Sequence, residues 1–341
     1  MLRAMDSAVS GLRAHQNKLD VIGHNLANVN TVGYKSQSYT FKDTMYQSAN
    51  ASTNGTTDSG GVNAAQYGYG SLMGTISIDM AASTPTYVGG FSATIDGNGF
   101  FVTKSTKEQN FATTGVAASD TTKIKNADFD FTRVGQFKVD SNGYIVDGNG
   151  NFVYGYQEGK PNQLVALRIP LVTETANTTA TPPTIDSSLT FSPNIGAGTT
   201  SECTSIKINK AGNIEATLTY NGIKYDTDAN GNQLTTTSPA VKSGVFTIGT
   251  VAIVTFQNQE GLTKDGSNYY KASESDNTGE CSADVPGSNR ATLMPGYLEA
   301  SNVDMAVEFS EMIMAERGFQ ANSKMITVSD EILSDLISMK R

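Results

Sequence analysis

Apolar residues recur at intervals of seven, with three- and four-residue steps between them, along both ends of the chain. The first stripe consists of Leu2, Met5, Val9, Leu12, Leu19 and Leu26, and the second consists of Met305, Phe309, Met312, Phe319, Ile326, Leu333 and Ile337. A seven-residue apolar repeat is typical of a helix face that packs against other helices. The pattern predicts helices over about residues 2–28 and 301–340, with these side chains as the seam through which the helices assemble.

Polar residues and glycines modify this picture of the two helices. Glu316, Ser323 and Asp330 interrupt the second stripe, so a tight two-stranded coiled coil is not expected. Gly11 and Gly23 each weaken the first helix by roughly 1 kcal/mol relative to Ala, which is tolerable where neighbouring backbones approach closely. An isolated helix pair cannot bury its stripes fully, so we expect both ends to fray in the monomer and to order when neighbouring copies cover them.

Helix-breaking and helix-capping residues predict where the two helices end and begin. Asn30, Thr31 and Gly33 follow the first apolar stripe and should end the first helix near residues 28–30, because Asn caps backbone groups and Gly permits a tight change of direction. Ser301 with Asp304 resembles a capping box, which predicts that the second helix begins at residue 301 or 302.

The stretch between the helices has the pattern of β-structure. Turn dipeptides of the kind that close hairpins are Asp96-Gly97, Asn98-Gly99, Asn142-Gly143, Asp147-Gly148 and Asn149-Gly150. Strand-like runs lie around them, at residues 99–102, 133–139, 144–146 and 152–156. Residues 47–63 are rich in small polar side chains and predict an exposed loop.

A change of composition near residue 157 separates two β-regions. Residues 173–201 are rich in Thr, Ser and Pro, strands resume at 205–208 and 214–220, and residues 246–256 alternate as a half-buried strand does. The fold class is therefore α+β and mainly β, with two β-domains in tandem insertion and a coiled-coil-like pair of N- and C-terminal helices. The expected domains are 1–30 with 301–341 (helical), 31–70 (connecting), 71–156 with 246–300 (middle β) and 157–245 (outer β-insertion).

Charge and hydropathy exclude several classes of partner. The formal net charge is −9 and no block of Lys or Arg occurs, which argues against nucleic acid or an anionic membrane as the main partner. No run of about 20 apolar residues predicts insertion into a membrane. Arg3, Asp6, Arg13 and His15 interrupt any apolar core of a secretory signal at the N-terminus.

Candidate chemistry is sparse in this chain. His15 and His24 are the two histidines and lie about 180° apart on the predicted helix, so they cannot share a metal. Residues 226–231 imitate the first half of a calcium loop, but the twelfth position is Thr237 instead of Glu, and a hairpin turn is the better interpretation. Cys203 and Cys281 form no ligand pattern, although a single bridge between them stays open. The sequence predicts no enzyme and no catalytic, cofactor-binding or metal-binding residues.

Five segments in one order resemble flagellar rod and hook proteins. The segments are 25–35, 96–101, 131–144, 296–304 and 311–322. The residues that carry the resemblance at the two ends are Asn25, Leu26, Ala27, Asn28, Asn30, Thr31, Gly33, Tyr34 and Lys35, and then Ser301, Asn302, Val303 and Asp304. Within the family the hook protein is the most similar type, because distal-rod proteins usually lack a large second β-domain such as residues 157–245.

The resemblance implies a self-assembling structural protein without a cofactor. The chain would form a helical homopolymer, a flexible tube that transmits torque as a universal joint, and would meet distal-rod, hook-cap, hook–filament junction and flagellar export proteins. It would lie outside the cell in the hook and basal body after export without a cleaved signal peptide. Two alternatives stay open, a distal-rod subunit and a secreted carbohydrate-binding or adhesive β-protein, although the adhesive alternative leaves the terminal heptads unexplained.

Overall fold

A computed structural model describes residues 2–55, 60–105, 116–117, 124–125, 127–157, 163–177, 184–190, 202–227, 233–287 and 291–339. The described chain is mainly β and has two long helices, α1 (Leu2–Ala27) and α2 (Met305–Met339). The predicted mainly-β class with terminal helices is therefore confirmed. The chain divides into two compact units, which we call the helical unit (Met1–Ala81 with Ser301–Arg341) and the β unit (Ala82–Ala300).

The helical unit contains α1, α2 and a long two-stranded ribbon. The ribbon consists of β1 (Gln37–Asp43), β2 (Tyr46–Asn50), β3 (Ala65–Gly68) and β4 (Ser71–Ile78). Strand β1 pairs antiparallel with β4, and β2 pairs antiparallel with β3. The prediction of a loop over residues 47–63 is wrong for residues 47–50, which are strand, and Thr53 forms a β-bridge with Val62. The sequence did not predict this pairing because both faces of β2 are exposed, so its residues lack the alternation of apolar and polar side chains that indicates a strand.

The β unit is a set of short antiparallel strands. Its strands are β5 (Pro85–Tyr87), β6 (Ala93–Gly97), β7 (Phe100–Lys104), β8 (Val116–Ala117), β9 (Asp130–Thr132), β10 (Phe137–Val139), β11 (Ile145–Asp147), β12 (Phe152–Gln157), β13 (Gln163–Ala166), β14 (Leu171–Asn177), β15 (Thr184–Thr190), β16 (Glu202–Ile208), β17 (Asn213–Thr227), β18 (Gln233–Val251), β19 (Ile253–Phe256), β20 (Thr263–Gly266), β21 (Tyr269–Lys271), β22 (Cys281–Asp284), β23 (Ala291–Pro295) and β24 (Tyr297–Glu299). Of the predicted run 133–139, only residues 137–139 are strand, because the chain turns between β9 and β10.

Strand β12 connects the two ends of the main sheet. It pairs antiparallel with β7 on the side of the early strands and with β18 on the side of the later ones. Strands β17 and β18 form a long hairpin, and β16 pairs with the other edge of β17. Strand β19 returns to β7, as the sequence predicted for residues 246–256. The prediction of one half-buried strand there is wrong, because Ala252 separates β18 from β19 and residues 251–256 are all buried in the sheet. The calcium-like motif lies where β17 ends, and its residues 228–231 fall outside the described residues, as does Pro182-Pro183.

One apolar core runs through much of the β unit. Phe101 on β7, Val153 on β12 and Ile214 on β17 all belong to it and are almost fully buried. Buried aromatic rings extend the core, and Phe131 meets Phe256 edge to face with 4.9 Å between ring centroids. These contacts hold the strands together because buried apolar area is the main favourable term in folding. The division of this unit into a middle and an outer β-domain stays a prediction.

Helix α2 begins at Met305, three or four residues later than the sequence predicted. The carboxylate of Asp304 accepts hydrogen bonds from the backbone N–H groups of Ala306 and Val307, at 2.8 and 3.4 Å, and is therefore the N-cap. The predicted capping box that begins at Ser301 is wrong. Residue Asn302 donates its backbone N–H to the carbonyl of Tyr34, so a contact distant in sequence keeps residues 301–303 out of the helix.

Candidate assembly surfaces and the signature cluster

Helices α1 and α2 pack side by side in antiparallel directions. Near the middle of α1, Lys18 forms a salt bridge of 3.2 Å with Glu311 of α2. Two turns further along α1, Asn25 donates a 2.8 Å hydrogen bond to the carboxylate of Glu308. From Lys18 to Asn25 along α1, the partner on α2 changes from Glu311 to Glu308, so the two helices run in opposite directions. The coiled-coil-like pairing of the two terminal helices is thus present within one copy of the chain.

Small residues lie where the two helices come closest. A methyl group at Gly11 would be 2.8 Å from Asn322 Nδ2, and one at Gly318 would be 2.6 Å from His15 Cε1. Both distances are too short for carbon to occupy without a shift of its neighbours. The atoms nearest to Gly11 belong to the Asn322 side chain, so the expected close approach of a neighbouring backbone stays a prediction for Gly11. It is wrong for Gly23, which has no neighbouring atom within 4 Å.

The buried face of α1 is not centred on its predicted seam. The buried residues of α1 are Ala8, Gly11, Ala14, Val21, Ile22 and Asn25. Four residues of the predicted seam are only half-buried, namely Met5, Leu12, Leu19 and Leu26. Val9 is 40% exposed, and the Leu2 side chain lies outside the described part of the structure. Small side chains allow the partner helix to approach closely, so the contact centres on them and the larger residues lie at its edge.

Helix α2 divides the residues of its predicted seam between two environments. Met312, Ile326 and Leu333 are half-buried and lie on the same side as the buried residues Ala315 and Ser329. The remaining seam residues, Met305, Phe309, Phe319 and Ile337, are exposed. A straight helix has 3.6 residues per turn, so a strict seven-residue stripe drifts around it and cannot stay on one contact face.

A second apolar stripe on α2 was not predicted from the sequence. It consists of Val307, Met314, Ala321, Met325, Val328, Ile332 and Met339, all of which are exposed. We call this set the exposed stripe. Met314 and Val328 each precede a buried residue by one position, which places the exposed stripe about 100° around the helix from the contact with α1. The seven-residue spacing of the exposed stripe could have been found in the sequence. The predicted seam is instead the neighbouring stripe that begins at Met305.

The ribbon also packs against α1. The ring of Phe41 on β1 lies 5.2 Å from the imidazole of His15, measured between centroids. Close to Phe41 in the ribbon, on β4, Ser71 donates its backbone N–H to the Ser10 hydroxyl at 3.3 Å. Gly70 makes this approach possible, because it has φ +113° and a side chain there would collide with Ser10. Helix α1 therefore has partners on both α2 and the ribbon.

Asn25 is the centre of a set of tertiary hydrogen bonds that we call the signature cluster. Its amide nitrogen donates to the Gln37 carbonyl and to Glu308, both at 2.8 Å. Its amide oxygen accepts from the Tyr34 hydroxyl at 3.1 Å and from the Gln37 backbone N–H at 2.9 Å. Asn25 is 1% exposed, and all four bonds fully use its side chain. It thus ties α1 to both the ribbon and α2.

Asn302 makes a similar connection at the start of α2. Its amide oxygen accepts from the Ser36 backbone N–H at 2.7 Å, and its amide nitrogen donates to the Asp79 carbonyl at 3.0 Å. Lys35 is fully buried and donates to the carbonyl of Ala81. The segments that leave α1, leave the ribbon and lead into α2 are therefore fixed to one another within the helical unit.

The other signature residues have local roles at helix ends. Asn28 donates to the carbonyl of His24 at 2.9 Å and accepts from the Thr31 hydroxyl, which caps the end of α1 as predicted. Gly33 has φ +70° and changes the direction of the chain. Leu26 and Val303 are half-buried, whereas Ala27 and Asn30 are exposed.

Burial changes the acid–base behaviour of the signature cluster. Desolvation, with a smaller contribution from Glu308, raises the pKa of the Tyr34 phenol to about 12. Desolvation also raises the pKa of the Glu308 carboxyl, and the hydrogen bond from Asn25 opposes this shift. Both effects follow from removing a potential anion from water. The arrangement is that of a structural hydrogen-bond network.

Chemistry of other kinds has no support in the described part of the chain. No group of three or more His, Cys, Asp or Glu side chains there has the geometry of a metal site. Cys203 is exposed and Cys281 is buried, and both are free thiols, so the open possibility of a bridge between them is not realised. Within the described residues, neither helix is long and apolar enough to cross a membrane.

Comparison with known proteins gives matches at both ends and over the whole length. Residues 5–35 match the family described as "Flagella basal body rod protein", and residues 294–339 match "Flagellar basal body rod FlgEFG protein C-terminal". The chain is 35% identical to the "Flagellar basal-body rod protein FlgG" of Bacillus subtilis (strain 168), with 100% of both proteins covered. The chain belongs to the flagellar hook and basal-body rod protein family.

Hook proteins are also among the relatives of this family member. The chain is 24% identical to the "Flagellar hook protein FlgE" of Borreliella burgdorferi over 465 aligned positions, with 100% of both proteins covered. It is 25% identical to the hook protein FlgE of Escherichia coli (strain K12), with 99% of this chain and 100% of that protein covered. The resemblance inferred from the sequence is confirmed, and all three names describe structural components of the flagellum.

Proposed function

We propose that this protein is the hook subunit of a bacterial flagellum and assembles into a flexible helical tube. The observation that carries the proposal is the exposed stripe of α2, which remains uncovered although α1 and α2 already pack together. An apolar helix face of this length exposed to water is unfavourable. Neighbouring copies would cover it, and the terminal helices would form the inner wall of the tube.

The later strands of the β unit favour a hook subunit. Residues 157–245 include the strands β13 to β17 and most of β18, which form the second β-region that the resemblance associates with hook proteins. The rod protein of Bacillus subtilis aligns over its whole length with this chain, so the presence of this region does not by itself exclude a rod subunit. The described faces of β16 are polar and exposed for most of its length. Wet, individually weak contacts between such surfaces can rearrange as a tube bends, whereas apolar helix contacts resist twisting.

A distal-rod subunit is the second candidate. It is favoured by the 35% identity to a protein named as a rod protein, over 345 aligned positions for a chain of 341 residues. Alignments with hook proteins extend over 441 to 466 positions, so those relatives contain additional residues. In either role the proposed partners are copies of itself, neighbouring rod, hook-cap and junction proteins, and the flagellar export apparatus.

Electron microscopy distinguishes the two candidates. Purified hook–basal bodies would be labelled with an antibody against residues 157–245 of this chain. Label along the curved segment outside the cell envelope is the expected result for a hook subunit. Label confined to the straight rod would assign the protein to the distal rod. Unlabelled but otherwise intact particles would contradict both roles.

Substitutions on the helices test assembly directly. We expect Leu12→Asp and Met314→Asp to block polymerisation, because each places a charge in an apolar contact between copies. The β unit should stay folded in both variants. Asn17→Asp is the matched control, since Asn17 lies on the exposed polar side of α1. Normal polymers of the Leu12 and Met314 variants would contradict the proposed role of the helices.

A further inference from the structure

His15 lies where three elements of the helical unit meet. Its ring is 5.2 Å from the Phe41 ring of β1, measured between centroids, and it faces the backbone of Gly318 on α2. The imidazole Nδ1 is buried and has no hydrogen-bond partner among the described residues. A neutral imidazole suits this place, because it carries one N–H group, whereas the protonated ring carries two that each need an acceptor. The surface of the neutral ring packs on the Phe41 ring and on the backbone of Gly318.

We propose that His15 is an acid-sensitive contact that holds α1, α2 and β1 together while neutral and loosens this junction when protonated. Protonation would add an N–H donor at a buried nitrogen that has no acceptor. It would also add a positive charge beside a cation. Both changes oppose packing of the ring against Phe41 and Gly318. The acid response is separate from the proposed role in the flagellum.

The charged groups around His15 support this direction. On α1, Lys18 lies one turn away and its ammonium is 5.8 Å from the Phe41 ring centroid. On α2, Glu311 is already paired with Lys18 at 3.2 Å, and Glu308 accepts a hydrogen bond from Asn25. On β1, the neighbour of Phe41 is the exposed cation Lys42. Glu311 and Glu308 are therefore engaged with other groups, and the positive charge of Lys18 opposes a second positive charge on His15. Lys42 follows Phe41 along the strand and so points to the opposite face of β1.

The acid–base shift of His15 agrees with this geometry. Burial, together with the positive charge of Lys18, lowers the pKa of the imidazole below its usual value of 6.5. A base whose pKa is lower in the folded state than in the unfolded state favours folding above the unfolded pKa. That contribution is lost as the pH falls below about 6.5. The helical unit should therefore weaken in mild acid.

Proton NMR of the full chain tests the proposal, because the sequence contains only two histidines. Two imidazole Cε1–H resonances should titrate, and the variant His24→Gln identifies the one that belongs to His15. We expect the His15 resonance to titrate below pH 6.5 and to move towards 6.5 when Lys18→Met removes the neighbouring cation. A His15 resonance that titrates at or above 6.5 in the wild type would overturn the proposal.

Stability measurements provide the second readout. Denaturant unfolding followed by helical circular dichroism should show a lower midpoint at pH 5.5 than at pH 7.5. We expect His15→Gln, which cannot titrate, to remove most of this difference, while His24→Gln keeps it. An equal pH difference in wild type and His15→Gln would also overturn the proposal. If His15→Gln fails to fold, the wild-type titration still decides, and none of these results depends on polymer formation.

Discussion

Gly11 of α1 faces Asn322 of α2 so closely that a methyl group at Gly11 would lie 2.8 Å from Asn322 Nδ2. The two terminal helices thus meet through their smallest side chains, and the leucines of the heptad lie beside this contact. The arrangement leaves apolar surface on both helices for neighbouring copies. It also makes the stability of the helical unit sensitive to the size of a few side chains.

Enlarging Gly11 should separate the helices. We expect Gly11→Leu to lower the free energy of unfolding of the helical unit by about 1–3 kcal/mol, because the Asn322 side chain would have to move away to make room for the added side chain. Gly23→Leu is the matched control, since Gly23 has open space around it. That control should stabilise α1 by up to about 1 kcal/mol through helix propensity. Thermal unfolding followed at 222 nm measures both, and equal effects of the two changes would contradict the close contact.

Removal of the Asn25 amide should disconnect the signature cluster. We expect Asn25→Ala to cost about 2–4 kcal/mol, because it leaves buried partners such as the Tyr34 hydroxyl without their hydrogen bonds. The comparison variant is Asn28→Ala, whose bond to the His24 carbonyl is exposed and local. Its cost should stay below about 1 kcal/mol. Denaturant titration of each variant gives the difference, and a smaller loss for Asn25 than for Asn28 would refute this role.

The start of α2 can be tested with a pair of alanine substitutions. We expect Asp304→Ala to destabilise the helical unit by about 0.5–2 kcal/mol, because two backbone N–H groups lose their acceptor. Ser301→Ala should have a smaller effect on this cap, since the hydrogen bond that the Ser301 hydroxyl accepts from the Val303 backbone N–H is long, at 3.4 Å. Helix content and the unfolding midpoint from circular dichroism measure both. A larger decrease in the unfolding midpoint for Ser301→Ala than for Asp304→Ala would support the capping box that the sequence predicted.

Glu308 should contribute to pH dependence in the direction opposite to His15. Burial raises the pKa of the Glu308 carboxyl, so its neutral form suits the folded state better than its charged form does. A carboxyl with a raised pKa favours folding at acid pH, and this contribution is lost as the pH rises through the folded pKa. We expect Glu308→Gln, which keeps an oxygen for Asn25, to unfold at a higher denaturant concentration than wild type at pH 7.5.

The same substitution should have less effect at pH 4.5, where the wild-type carboxyl is protonated. Glu311→Gln serves as the comparison, because it removes the partner of Lys18 and should not stabilise the protein at either pH. A lower unfolding midpoint for Glu308→Gln than for wild type at pH 7.5 would contradict the cost assigned to the partly buried carboxylate of Glu308.

Local patterns in the sequence determined much of the architecture. The heptads placed α1 to within one residue of its observed end, and the turn dipeptides with alternating runs located β7, β11, β12, β16 and β17. Residues 25–35 and 296–304 identified the family. These features depend on neighbours in sequence, since side-chain period, helix-capping residues and hairpin turns act over a few residues.

Tertiary structure alone decided which faces of the helices meet and which signature residues act over long distances. A heptad shows which side chains share a helix face, but the face that is buried depends on how closely Gly11 and Gly318 let the partner approach. In the same way, Asn302 contacts the chain after α1, so α2 begins at Met305 and Asp304 becomes its cap. Asn25 looked like an ordinary helix-end residue because its partners Gln37 and Glu308 are brought to it only by the fold.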